Sequence, residues 1–309
     1  MITSLFRKST PVNYAFVIIS ATVFFFMYQF GHATGGNALV NIAGKLVLLG
    51  VILGSLFTAN FIVKKNGLSK ESAYTVLFYL LFMLFFPSVM NNPNIILSNF
   101  FILLALRRLI SLHSLKATKE KVFDASLWIF VAALFHFWAI IFIALVFISI
   151  LFHVSRDYRN WLLPFVAFFT IATVFVLFSF MFDETLINDL VAKATTNFEL
   201  DYFTNTKQNL ALAVYASVAL FFLASMVLTM SNRPQILHSS YKKIIASFFI
   251  GAVIFAISPN KSNDLLLFTV APMAFMATSH IELPQEQLKQ EITLALLIIS
   301  SLFLFFSQL

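Results

Sequence analysis

The stretch Asp124–Phe152, DASLWIFVAALFHFWAIIFIALVFISILF, decides the fold, because it is apolar for longer than one comfortable membrane crossing and is interrupted near its middle by Phe135-His136-Phe137-Trp138. A transmembrane helix takes roughly 17–25 mostly apolar residues. Reading outward, further apolar blocks of that size follow one another: Tyr14–Phe30, Gly44–Val63, Ala73–Met90, Ile95–Leu112, Trp161–Phe182, Leu210–Ser231, Ile244–Ser258, Leu265–His280 and Ile292–Leu309. Short segments between them hold nearly every charge. The pattern predicts an all-α integral membrane protein, 1–309 as a single polytopic domain.

Whether the Asp124–Phe152 block crosses once or twice follows from the distribution of Lys and Arg, which favour the cytoplasmic side of a membrane. If the block is a hairpin with His136 at the turn, sixteen of the 20 basic residues fall on one side, and Lys45, Lys193, Lys207 and Lys261 on the other. A single crossing inverts everything after Phe152 and lowers the first count to thirteen. The hairpin is therefore the expectation. It gives about eleven transmembrane or half-spanning helices, a cytoplasmic N-terminus and an external C-terminus. Asp124–Phe135 alone would reach only about 18 Å at 1.5 Å per residue, so this limb is expected to be short or tilted and shielded by protein.

Composition agrees with a lipid solvent. Hydrophobic residues make up 60% of the chain and charged residues 11%, and mean hydropathy is +0.92, against a charged fraction near ~25% for soluble domains. The first apolar run follows Arg7 and Lys8 as in a signal peptide, but Gly31–Gly36 leads directly into another span, so it is read as a retained helix. The formal charge of +7 sits at helix ends, where membrane orientation accounts for it better than nucleic acid does. The chain has no cysteine, which excludes disulfides and thiolate chemistry. There is no P-loop, dinucleotide fingerprint or His-Glu-x-x-His, and no two histidines stand at helical i, i+4 spacing to begin a metal site. No cofactor is named by the sequence. The middles of the spans carry no acid, which argues against proton-coupled transport.

Under this topology the external side gathers His32, Asn92, His136 with Trp138, the segment Asp183–Gln208, and the turn Ser258–Asp264 with Lys261. Asp183–Gln208 carries five acids and two lysines. Its Leu186, Leu190, Ala194 and Phe198 recur every four residues, as in an amphipathic helix lying on the membrane surface. Histidine beside carboxylates shuttles protons near neutral pH, and a lysine among short polar residues pairs with phosphate. His136, Asp183 and Glu184 are thus candidate catalytic groups, and Lys261, Asp264, Asn92 and His32 candidate substrate-binding groups. Each has a plainer reading. His136 suits an interfacial aromatic belt, Lys261 and Asp264 can pair across a turn, and the acids of 183–208 can be a solvated face. Arg107 and Arg108 read as snorkelling anchors.

The opening Met1-Ile2-Thr3-Ser4-Leu5-Phe6-Arg7-Lys8-Ser9-Thr10-Pro11-Val12-Asn13 and the full span pattern resemble an uncharacterised family of polytopic inner-membrane proteins from Bacteroidota, which implies a bacterial inner-membrane location. Phe85-Phe86-Pro87, then Asn91-Asn92-Pro93-Asn94 at a span junction, the helix pair around His136 and the late Lys261 turn are similar, more loosely, to C-type glycosyltransferases that use polyprenyl-phosphate sugars. That likeness implies binding or transfer of lipid-linked sugars at the external face, with a polyprenyl-phosphate lipid as partner. Those enzymes carry an acid in the first external loop, whereas Gly31–Ile42 has none. Either Asp183 or Glu184 supplies it, or the protein is a non-catalytic relative. The competing expectation is a non-enzymatic transporter or an assembly subunit bound to another envelope membrane protein.

Overall fold

In the computed structural model, which describes residues 2–31, 38–197, 205–259 and 261–309, all regular structure among the described residues is helical. The helices are α1 (Ile2–Phe6), α2 (Pro11–Gly31), α3 (Ala38–Lys65), α4 (Tyr74–Leu84), α5 (Pro93–Ile110), α6 (Thr118–Phe135), α7 (Ile143–His153), α8 (Arg159–Phe182), α9 (Thr185–Ala192), α10 (Thr206–Leu228), α11 (Gln235–Ile257), α12 (Leu267–Ile281) and α13 (Gln287–Ser307). Eight of the described helices are long and apolar enough to cross a membrane, and α4 and the stretch Phe137–His153 are shorter apolar helices. The chain is a multi-pass membrane protein.

Its centre is built from segments that are apolar all round. Every residue of α4 is buried, and 94% of the hydrophobic window of α12 is buried, against 11% for α8. A helix without a polar face needs neighbours on all sides, and α12 finds them in α4, α5, α10 and α11. The α11–α12 crossing is close. A Cβ at Gly251 would lie 2.7 Å from Thr269 Cγ2 and 3.1 Å from the Phe268 carbonyl carbon, so only glycine admits the approach. The outward faces of α8 carry exposed Phe165, Phe169, Leu177 and Phe180, as expected of a helix facing acyl chains.

The Asp124–Phe152 block folds back on itself. Lys119 at the start of α6 meets Asp157 beyond α7 at 3.2 Å, whereas His136 between them reaches Ser258 at the opposite end of the bundle. The first limb is longer than the sequence suggested. α6 runs for 18 residues from Thr118, about 27 Å at 1.5 Å per residue, because Asp124 does not end it; its carboxylate pairs with Arg108 at 2.8 Å. α11 likewise begins at Gln235, nine residues before the expected Ile244, and carries a fully buried Lys243 whose ammonium donates to the Leu109 carbonyl at the C-terminal end of α5. Conversely α4 stops at Leu84, where Phe86 leaves the helical region and Pro87 opens a 3-10 turn.

The bundle thus has two unlike ends. The basic end holds Arg7, Lys64, Lys70, Lys116, Arg156, Arg233 and Lys289 in loops and helix ends; the other holds Asn92, His136, Lys193 and Lys261.

Candidate binding site

At the end away from the basic loops, four junctions surround a cavity of about 780 Å³. They are the start of α5, the bend between α6 and α7, the segment from α9 to Thr195, and the turn between α11 and α12. The sequence places each junction for a local reason. Asn92 caps α5, its side-chain oxygen accepting from the Ile95 N–H, and Pro93 at the first helical position needs no donor partner. α6 ends where His136 adopts an extended conformation, and the His136 carbonyl accepts from Ala139 as the next turn begins. Asp183 closes α8 and starts α9 by accepting from both the N–H and the hydroxyl of Thr185, at 2.9 and 2.7 Å.

A strap of backbone covers the cavity. Trp138 Nε1 donates to the Thr195 carbonyl at 3.2 Å, Lys261 Nζ to the Asn197 carbonyl at 2.7 Å, and the Asn197 N–H to the Ile257 carbonyl. Below it, Ser258 gives its hydroxyl proton to the Ile254 carbonyl at 2.8 Å, so its oxygen accepts from His136 Nε2 at 3.3 Å. That arrangement puts the His136 proton on Nε2 and leaves Nδ1 as the basic nitrogen. Burial, and secondarily the charge of Lys193, lower the His136 pKa to about 4, so at neutral pH the ring is uncharged.

Asn92, His136 and Lys261 all line the cavity, together with Lys193 and Asp189. Asp264 stands behind them. Its carboxylate accepts from Ser88 and, at 3.4 Å, from Asn92, fastening the turn before α5 to the turn before α12. Asp183 and Glu184 are exposed and do not line the cavity. The Asp183 carboxyl is held below its usual range by the hydrogen bonds from Thr185, as befits a helix cap. The acid that does line the cavity is Asp189, one turn further along α9, and nothing in its sequence neighbourhood marks it apart from the other acids. α9 covers Leu186 and Leu190 of the expected amphipathic stripe but ends before Ala194, and none of its residues is buried. His32 and Phe198 lie outside the described residues. Among the described residues no group of three or more His, Asp and Glu side chains is placed to hold a metal ion.

The cavity therefore combines two ammonium groups, a neutral imidazole, a carboxylate and the indole of Trp138 at the rim of an apolar bundle. Such a lining suits an amphiphile with an anionic head.

The family of unknown function DUF6427 matches residues 4–309, and the chain belongs to that family. No curated protein and no solved structure matches it.

Proposed function

We propose that the protein binds polyprenyl-phosphate-linked sugars in the cavity between Asn92, His136 and Lys261 and transfers the sugar there. In this reading it is a single polytopic domain of the bacterial inner membrane, of the Bacteroidota type that its opening residues resemble. It has about eleven membrane segments, a cytoplasmic N-terminus and the cavity on the external face, where α9 and the strap after it form the roof. The observation that carries the reading is the meeting of Lys193 and Lys261 with His136 in one cavity at helix ends, where a lipid phosphate would rest. The crowding of basic residues at the opposite end supports the orientation.

Chemically, the phosphate is held by Lys261 and Lys193 through charge-assisted hydrogen bonds. An acceptor oxygen bonds to the anomeric carbon as the bond from that carbon to the phosphate oxygen breaks, and polyprenyl phosphate departs with the electron pair. Nδ1 of the neutral His136, or the Asp189 carboxylate, receives the acceptor's proton. Asp264 and Asn92 hold the turns in register. The looser glycosyltransferase likeness belongs to this reading. A second reading is favoured by one observation: Asp183 is occupied as a cap and Glu184 stands apart from the cavity, so the same pocket serves a non-enzymatic transporter or envelope-complex subunit that only binds the lipid.

The test is binding of a short-chain polyprenyl phosphate to the detergent-purified protein, alone and as Lys261→Gln, which removes the charge and keeps a donor for the Asn197 carbonyl. The variant is expected to bind at least about tenfold more weakly with thermal stability nearly unchanged. Unaltered binding would contradict the phosphate role. Release of free polyprenyl phosphate from the sugar-linked lipid distinguishes transfer from binding alone.

A further inference from the structure

A second opening lies at the basic end, between α2, α3 and α5, independent of the cavity just described. This groove, of about 520 Å³, is lined by Tyr14, Phe57, Asn60, Phe61, Lys64 and Arg107, with Thr58 at its edge. Its walls come from three candidate membrane spans, and Phe57 and Phe61 are exposed on the outer surface. Three cations converge on its aromatic rings. Lys64 Nζ sits 5.4 Å from the Tyr14 ring centroid, Lys65 Nζ 5.1 Å and the Arg107 guanidinium 4.7 Å from that of Phe61.

Lys64 is already oriented, donating to the Ser9 hydroxyl and, at 2.7 Å, to that of Tyr14. Arg107 differs from its neighbour Arg108, whose charge is taken by Asp124 at 2.8 Å. No acid is among the residues lining the groove. Asn60 is 8% exposed, and its amide nitrogen donates to Tyr14 while its Oδ1 is buried and accepts nothing.

We propose that this groove is a binding site for one anionic phospholipid. Its phosphate sits between Lys64 and Arg107, and its acyl chains run along Phe57 and Phe61. Charge complementarity selects the phosphate, and the position at the end of lipid-facing helices selects a lipid over a soluble anion. Arg107 gives a planar fork for a phosphate, where a lysine gives a point charge.

The experiment is thermal unfolding of the purified full chain in a neutral detergent, titrated with dioleoyl phosphatidylglycerol, dioleoyl phosphatidylcholine or inorganic phosphate. Phosphatidylglycerol is expected to raise the Tm saturably and the other two to leave it unchanged. Arg107→Gln should weaken the apparent affinity about tenfold or more, and Lys116→Gln, an exposed cation of the same end, should not. If Arg107→Gln yields no folded protein, Lys64→Gln is read in the same assay with the same expectation. An equal shift from phosphatidylcholine, a shift from phosphate alone, or wild-type affinity in the arginine variant would overturn the proposal.

Discussion

The two ends of the bundle differ in where their charged side chains find partners. At the basic end, charges bind helix to helix: Arg108 meets Asp124, Lys119 meets Asp157, and the Glu282 carboxylate accepts from the hydroxyls of Ser69 and Ser72 and from the Lys70 N–H. At the other end, polar side chains reach across a cavity to backbone carbonyls of a strap, and α9 beside it buries none of its residues. Below the cavity, the tight α11–α12 crossing joins the helix that leads into Ser258, the partner of His136, to the core.

The largest expected effect breaks the comparison at that crossing. Gly251→Ala forces a methyl group against Thr269 and the Phe268 backbone, and overpacking of this kind costs about 1–3 kcal/mol. The Tm in detergent should fall accordingly, whereas Gly50→Ala, with no other atom within 4 Å, should leave it unchanged or slightly raised. Equal behaviour of the two variants would mean that α11 and α12 are not in contact as described.

A further effect appears in the pH dependence. The His136 pKa is about 4 in the folded protein against a usual 6.5, so the unfolded chain binds the proton first. The stability contributed by the neutral ring is complete above 6.5 and declines as pH falls toward 4. Asp157, at the basic end, is shifted below its usual 3.8, chiefly by the Arg159 N–H and then by Lys119, so its contribution is lost only at lower pH. The Tm should therefore drop between pH 6.5 and 4 in the wild type and drop less in His136→Gln. Parallel curves would remove His136 from the account of the cavity end.

Much of the architecture could be read from the chain because apolar length is a strong signal. The interruption Phe135-His136-Phe137-Trp138 marks the turn, and the distribution of basic residues favours two crossings over one. Where a helix begins earlier than the apolar run, a charge inside it has found a partner: Arg108 for Asp124 and the Leu109 carbonyl for Lys243. At the site, the cavity-lining Asn92, His136 and Lys261 stand at span junctions, where sequence reasoning looks first. Asp189 was missed because which face of a surface helix looks inward depends on where neighbouring spans end, and the acidic Asp183 and Glu184 drew attention by chain position alone. The Lys64–Arg107 groove was hidden for the same reason, since it joins residues from three separate spans.

The orientation of the two ends is the claim on which the external site depends, and the absence of native cysteine makes it directly measurable. Lys193→Cys at the cavity end and Lys116→Cys at the basic end are both exposed positions. Each is treated with a membrane-impermeant maleimide in spheroplasts and in inverted membrane vesicles. The expected result is labelling of position 193 in spheroplasts and of position 116 only in inverted vesicles. The reverse pattern would put the cavity in the cytoplasm, and labelling of both positions from one side would contradict the hairpin at His136.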